Sequence, residues 1–250
     1  MPHTRSNNGL EILKRLSKMY KFTIPTTGGL EDTTGAALAK GAANITVTTF
    51  ASWQTGDYLI IIGSGGMDLL QLGTKPGAAG PIPLVGRPPA FAQDAGAAIF
   101  RATRADLGYI EDAGAQLGAS ASKQAIGAAN AGGAIAYIDS DTPEITFTWT
   151  QRESNLRDIA TAFGVDESAI EGAGTANDPY RLIISGDTIG TQSNYCLRTE
   201  ARKVNNKLQV YDVLNAFPEV NVSAAVVGKG NPTTWGCGVK CTAVIPWDQP

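Results

Sequence analysis

One short segment, residues 144–164, constrains the fold of this chain more than any other. Its first part alternates apolar and polar residues, as a strand with one buried face does, at Ile145, Phe147 and Trp149. A helical pattern follows directly, with apolar residues three and four positions apart, at Leu156, Ile159, Ala160 and Phe163. Because one core must lie under both, we predict a short helix packed on the flank of a sheet.

The remainder of the chain is strand-like, with short apolar runs separated by glycine and proline. Glycine supplies 29 of the 250 residues, a content that suits many turns between short strands. We therefore expect a mainly β fold, an antiparallel β-sandwich or barrel with one flanking α-helix, plus a small N-terminal β domain. The predicted divisions are 1–43 (helix and extended arm), 44–96 (small β domain) and 97–250 (larger sandwich).

The N-terminal segment has a pattern of its own. Residues 9–20 predict a short helix with an apolar side (Ile12, Leu13, Leu16, Met19, Tyr20) and a basic side (Lys14, Arg15, Lys18). A helix this short is not stable alone, so it must dock on its own body or on a neighbour. Since the rest of the chain is net acidic, opposite charges on one molecule favour head-to-tail association of copies.

The larger unit predicts a series of strands and two distinctive connections. The Gly/Ala-rich stretch 127–133 is typical of a mobile loop, and Asn205 and Asn206 suit a tight hairpin turn. The predicted strands are 108–111, 115–122, 135–138, 144–150, 180–184, 195–204, 207–214, 220–227 and 237–245.

Residues that support catalysis are sparse. His3 is the only histidine and lies at a polar terminus, which argues against nucleophile systems and most zinc sites. The glycine-rich stretch 60–66 lacks the third glycine of a dinucleotide-binding turn, so a hairpin is predicted there. Carboxylate pairs that a glycosidase would need occur only in turn-like contexts: Glu111 with Asp112, Asp139 with Asp141, and Asp166 with Glu167. We predict no enzyme activity, cofactor or metal.

The cysteines and the hydropathy pattern bear on the compartment. Cys196, Cys237 and Cys241 form an odd set without a disulfide framework, and the alternation around the last two predicts that they pack in the core. No apolar run approaches the roughly 20 residues of a membrane span, and no signal peptide is recognisable. We expect a protein made and folded in a reducing cytoplasm.

Several stretches together resemble the tail tube proteins of long-tailed bacteriophages. These are the sequence 107–112, the loop 126–133 leading into Ala134 and Ile135, the strand 144–150, the helix 155–163 followed by Gly164 and Val165, and the closing hairpins. The resemblance covers about residues 97–250 and is one of order and texture. Members of that family fold as two packed antiparallel sheets with a flanking helix, related to the tube proteins of contractile tails and type VI secretion.

The resemblance implies a structural virion protein that assembles in the host cytoplasm. Its copies would form rings, as a homohexamer or as trimers with duplicated domains, which stack into the tail tube through which DNA is ejected. Other tail proteins would bind the tube ends, and residues 44–96 would decorate the outer wall. Expected lumen-facing residues are Glu144, Thr146, Thr148 and Thr150, on an acidic wall that repels phosphates; expected ring-stacking residues are Leu13, Leu16, Lys18, Gly127, Asn130 and Gly133.

Two other functions stay open on the sequence. A non-polymerising β-sandwich, acting as a binding or capsid decoration module, predicts an exposed aromatic cluster, for which Trp53, Trp235 and Trp247 are candidates. A hydrolase that uses the carboxylate pairs is the third possibility.

Overall fold

The structure, a computed structural model, describes residues 15–24, 29–107, 110–120, 123–127, 134–139, 144–151, 156–185, 187–188, 192, 194–202, 207–218, 224–225 and 234–249. As predicted, the chain is mainly β, with antiparallel sheets and one short helix among these residues. The strands are β1 (Arg15–Thr23), β2 (Glu31–Thr33), β3 (Asn44–Ile45), β4 (Tyr58–Gly63), β5 (Gly66–Leu72), β6 (Ile82–Val85), β7 (Ala98–Arg101), β8 (Thr103–Asp106), β9 (Ile110–Ser120), β10 (Lys123–Gly127), β11 (Ala134–Asp139), β12 (Glu144–Gln151), β13 (Ile170–Glu171), β14 (Arg181–Leu182), β15 (Tyr195–Arg202), β16 (Leu208–Pro218), β17 (Ala224–Ala225), β18 (Thr234–Cys241) and β19 (Ala243–Asp248).

A nine-stranded sheet forms the larger body. Seven of its strands follow the order β8-β1-β15-β16-β18-β12-β9, while β17 pairs with β18 and β19 with β16. The sheet curls into a half-barrel, and β9 at one end of the order comes close to β1 near the other. Strands β10 and β11 form a separate hairpin, as do β13 and β14.

The predicted N-terminal helix is wrong over residues 15–20, which belong to strand β1, while residues 9–14 lie outside the described part. β1 is an interior strand that pairs with β15 on one side and with β8 on the other. Met19 faces one core, whereas Tyr20 and Phe22 face another. A strand buried on both faces loses its simple alternation, so its apolar residues fell at helix-like spacing. The segment is part of the body and not a free arm.

A six-stranded sheet in the order β2-β7-β4-β5-β6-β3 forms the smaller unit. Its strands lie between residues 31 and 101, so residues 31–33, expected in an extended arm, pair with β7 instead. The predicted hairpin at 60–66 is confirmed, because β4 and β5 pair up to Gly63 and Gly66 across a two-residue connection. The unit has its own core, centred on Trp53, Leu59 and Ile61.

The two sheets are joined by a third apolar cluster. Ile60 and Leu69 of the smaller sheet pack there against Phe22, Cys196 and Leu214 of the larger one. All five side chains are at most 1% exposed, so the two sheets share a continuous dry interface. The smaller unit is therefore packed on the larger body.

Helix α1 (Leu156–Ala162) confirms the predicted flanking helix. Gly164 follows it with φ +61°, the left-handed conformation that glycine adopts readily at the end of a helix. Ala160 and Ala162 are buried, and Phe163 packs against the main core. No helix among the described residues is long and apolar enough to cross a membrane.

Several predicted strands have different lengths in the structure. The two strands predicted at 108–111 and 115–122 form one strand, β9. The strand predicted at 237–245 is divided at Thr242 into β18 and β19, which pair with different neighbours. Only 181–182 and 224–225 form strands within the stretches 180–184 and 220–227, as far as those are described. Strands β15 and β16 pair as predicted, although Asn205 and Asn206 lie outside the described residues.

Candidate functional site

The candidate site is the face of the β9-β12-β18 segment that points away from the core, called the polar face below. Strand β12 lies in the middle, paired with β18 on one side and β9 on the other. Phe147 and Trp149 are 3% and 4% exposed on the core side, which confirms the predicted orientation of this strand. The residues between them therefore lie on the other side: Glu144, Thr146, Thr148 and Thr150.

Glycines flank the threonines of the polar face. Thr148 pairs with Gly238, and Thr150 with Gly236 on the same strand. Thr146 pairs with Gly118 of β9, where a Cβ would come within 2.5 Å of Thr146 Oγ1. Since paired residues of antiparallel strands point to the same side, a row of threonines crosses this face with glycines beside it. Among the described residues, the long side chains of the face are Gln116, Glu144 and Lys240.

The charge of the polar face differs from the prediction. Glu144 was expected to make this wall acidic, but its Oε1 lies 3.0 Å from Lys240 Nζ on the neighbouring strand. Both side chains are about half exposed, so the pair contributes little to stability and mainly balances the charge. Among the described side chains of this face, the acidic charge of Glu144 is thus balanced by Lys240.

Strand β9 is the edge of this segment and is incompletely covered. Leu117 pairs directly with Phe147, so it points to the core side, yet it is 54% exposed. Gln116, Ala119 and Ser120 are exposed as well. Among the described residues, no strand pairs with the outer side of β9, which leaves backbone donors and acceptors open along 116–120. The core side of the sheet is therefore only partly covered at strand β9.

The predicted stacking residues are spread over the chain. Leu13, Asn130 and Gly133 lie outside the described residues. Leu16 belongs to β1, in which Lys18 is exposed and pairs with Glu200, and Gly127 ends β10. Of the described three, Leu16 and Lys18 lie in one strand and Gly127 in another, and the prediction of stacking through these residues stays untested.

Buried charges lie at the junction of the two sheets. Arg87, from the smaller unit, donates to Asp212 Oδ2 at 2.6 Å and to Asp68 Oδ1 at 2.5 Å. Arg198 and Trp247 donate to the same Asp212 carboxylate. Burial alone would lower the pKa of Arg87, but Asp212 and Asp68 raise it above its usual value. Sequence reasoning missed this cluster because its members are far apart in the chain.

The cysteines are packed in the interior. Cys196, Cys237 and Cys241 are buried and form no disulfide. Burial raises the pKa of Cys196 to about 12 and that of Cys241 to about 11, which keeps both thiols protonated at neutral pH.

The carboxylate pairs show no shared catalytic geometry among the described groups. Asp166 accepts from the Ser168 backbone N–H, and Glu167 forms ion pairs with Lys21 and Arg157. Asp141 and the side chains of Glu111, Asp112 and Asp139 lie outside the description. Within the described part of the chain, no group of three or more His, Cys, Asp or Glu is placed to hold a metal ion.

The aromatic cluster expected for a binding module is not formed by Trp53. Its side chain is fully buried, and its Nε1 donates to Asp32 Oδ2 at 2.8 Å. Trp247 is partly buried at the junction of the sheets, and the side chain of Trp235 lies outside the description.

No family model matches this chain, and no curated protein is similar to it in sequence.

Proposed function

We propose that this protein is a structural subunit that assembles with copies of itself into stacked rings, forming a hollow tube of the phage tail type. The observation that carries the proposal is the edge strand β9, with Leu117 uncovered on the core side of the sheet. A second copy that adds a strand there would satisfy the open backbone groups and bury the leucine. In this proposal β9 pairs with a different edge of the second copy, so the contact is head-to-tail and closes into a ring when the rotation permits.

The polar face supports the assignment of the lumen. Its described side chains include no cluster of lysine or arginine, and Lys240 is balanced there by Glu144. DNA affinity rises with the number of phosphates that a surface neutralises, so this wall would let DNA pass without holding it. The sequence predicted an acidic wall that repels phosphates. Passage of DNA does not require that repulsion.

The smaller unit would lie on the outer wall in this arrangement. It packs on the body through the cluster around Ile60 and Leu69, at a junction distinct from the polar face and from β9. The same proposal places the protein in the virion tail, with a homohexameric ring as the first arrangement to test, and with other tail proteins at the tube ends.

The direct test is assembly of a variant altered only at the edge. Concentrated protein should form rings or tubes in negative-stain electron microscopy, whereas Leu117→Asp should remain as discrete particles that unfold at the wild-type urea midpoint. The matched control is Val85→Asp, which alters a 43% exposed apolar residue of the smaller sheet and should assemble normally.

Two results would contradict the proposal. One is a Leu117→Asp protein that forms the same rings as wild type. The other is wild-type protein that stays in discrete particles at every concentration, which would favour the non-polymerising binding or decoration module.

A further inference from the structure

A groove lies beside strand β8, between that strand, helix α1 and the turn at Glu167–Ala169. It consists of two cavities of about 330 and 520 Å³, and Arg157 and Glu167 line both of them. Residues 103–105 line the first cavity and Asp106 lines the second, so the groove follows the length of β8. Each volume lies in the range of ligand-binding sites.

The backbone of β8 has an open side along this groove. Strand β8 is the last in its sheet order, and among the described residues it pairs only with β1. Leu107 N–H donates to the carbonyl of Met19, so alternate residues of β8 point their backbone groups toward β1. Arg104 falls between them, and its N–H and C=O point away from β1. No hydrogen bond from the described residues reaches these two groups, which an added strand would satisfy.

The second cavity has an apolar wall. Leu156 and Ile170 line it and are half-buried, while Tyr180 lines it and is 61% exposed. These side chains come from α1, from β13 and from the residue before β14. An apolar side chain placed among them would remove their open surface from water. This end of the groove therefore fits one bulky apolar residue.

The charges along the groove balance each other. The lining includes three basic and three acidic residues: Lys21, Arg104, Arg157, Asp106, Asp166 and Glu167. Lys21 Nζ lies 3.4 Å from Glu167 Oε1, and Arg157 Nε lies 2.9 Å from Glu167 Oε2. By the strand register, Arg104 and Asp106 lie on the opposite face of the sheet from Lys21, and the Arg104 guanidinium stacks on Tyr20 there. With no excess charge of either sign, the groove favours an uncharged occupant.

The first cavity has polar groups that still need partners. Gln192 is 9% exposed, and its Oε1 is buried with no hydrogen-bond partner among the described residues. Lys21 donates to Thr161 Oγ1 at 3.1 Å and to Glu167, which leaves one of its three N–H groups without a described acceptor. An uncharged side chain that both donates and accepts, such as a hydroxyl or an amide, complements this pair.

We propose that the groove binds an extended, uncharged segment of a different polypeptide, added to β8 as a further strand. One apolar side chain of that segment lies among Leu156, Ile170 and Tyr180, and an uncharged polar side chain contacts Gln192. Binding at the groove does not depend on the tube proposal.

The choice of a different polypeptide over a second copy does rest on the tube proposal. A second copy would offer its own open edge, β9. A sheet continued from β9 to β8 keeps its core sides aligned, so the polar face of one copy would run into the Tyr20 and Phe22 face of the next. The smaller unit covers that face, which is incompatible with a lumen lined by the polar face alone.

A synthetic peptide tests the site in the full chain. In an NMR titration, acetyl-Thr-Thr-Leu-Thr-Thr-amide should bind saturably and shift the Arg104 backbone amide signal. The same peptide with aspartate in place of leucine should bind roughly tenfold more weakly or worse, and Tyr180→Asp should weaken binding of the leucine peptide to a similar extent. The matched control is Ile183→Asp, at a 44% exposed apolar residue that lines neither cavity, and it should bind as wild type.

Backbone methylation separates strand addition from binding by side chains alone. In an added strand, successive N–H groups point alternately toward and away from β8. Methylation of the leucine nitrogen and of the next threonine nitrogen should therefore have unequal effects, with only one of them weakening binding. Four results would overturn the proposal: equal affinity of the two methylated peptides, equal affinity of the leucine and aspartate peptides, no binding of either, or equal affinity of the Tyr180→Asp and Ile183→Asp proteins.

Assembly in the presence of the leucine peptide identifies the occupant. Rings that form normally at saturating peptide support a different polypeptide, whereas loss of rings would assign the groove to a second copy and overturn that choice. Absence of rings from the wild-type protein without peptide would contradict the tube proposal alone, since the titration does not require assembly.

Discussion

The nine-stranded sheet meets its surroundings in two contrasting ways. Toward the six-stranded sheet, its side chains are covered and its charges are paired, with Arg87 reaching Asp212 inside a dry interface. At the β9 edge, no strand of the described chain pairs with the outer side of residues 116–120, and Leu117 is 54% exposed. At the first boundary, residues of the same chain bury the apolar side chains and pair the charges. The second boundary has the features of a surface that another molecule covers. The difference locates the expected assembly contact.

The contrast between the covered and the open boundary is seen in one pair of neighbouring residues. Phe147 and Leu117 lie opposite each other on the same side of the sheet, one buried and one exposed. Phe147→Ala should lower the free energy of unfolding by about 4 kcal/mol, since it leaves a cavity in the core. Leu117→Ala should lower it by less than about 1 kcal/mol in the unassembled protein. Urea unfolding measures both, and similar losses would remove the distinction between the two boundaries.

The covered boundary depends on its buried charges. Arg87→Met should destabilise the protein by about 3 kcal/mol, because it leaves Asp68 buried without its cation. Arg181→Met, at an exposed arginine, should change stability by no more than about 0.5 kcal/mol. Equal effects of the two substitutions in urea unfolding would show that the junction does not depend on this cluster.

The smaller sheet has a buried carboxylate whose contribution depends on pH. Burial opposes the charge of Asp32, but hydrogen bonds from Trp53, Thr49 and Thr33 lower its pKa below 3.8. Asp32→Asn should cost about 2 kcal/mol at neutral pH. A depressed folded pKa means that the stabilisation is present above the unfolded pKa and is lost as pH falls through the folded one.

Unfolding of both proteins across the acid range checks this prediction. The difference between wild type and Asp32→Asn should be constant near neutral pH and should shrink below about pH 4. A difference that stays unchanged to the lowest pH at which the proteins remain folded would contradict the role given to this carboxylate.

The smallest effect on folding is expected on the polar face. Thr148→Arg should leave stability within about 0.5 kcal/mol of wild type, because Thr148 lies on the side of the sheet away from the core, between Gly238 and the exposed Gln116. If this face lines a lumen, every ring then gains positive charges that bind phosphates. Tubes of the variant should retain DNA at low salt and release it as salt rises, in a filter-binding assay. DNA retention equal to that of wild type would contradict the assignment of the polar face to the lumen.

The elements that the sequence predicted well have one buried face or strong local signals. The alternation around Phe147 and the helical spacing from Leu156 fix orientation without knowledge of distant partners. β1 was predicted wrongly because Met19 and Tyr20 are buried on opposite faces of an interior strand. A strand of that kind shows no clean alternation, so local pattern and tertiary burial disagree there.

The candidate site was predictable only in part. The threonine row followed from alternation, but the partner of Glu144 did not, since Lys240 lies 96 positions away in the sequence. The junction cluster could not be predicted for the same reason, because Arg87 and Asp212 are 125 residues apart. The exposure of Leu117 depends on the position of β9 at the end of the sheet order. That position is set by the whole fold and cannot be read from the sequence of β9 alone.

Hydrogen exchange of β9 is the most direct test of the central claim, that this edge pairs with another copy. Amides in 115–120 should exchange rapidly in dilute, unassembled protein wherever they point to the open side. They should become protected when the protein assembles, while amides of the six-stranded sheet keep the same protection in both states. Assembled particles in which these β9 amides exchange as fast as in the dilute protein would contradict the account.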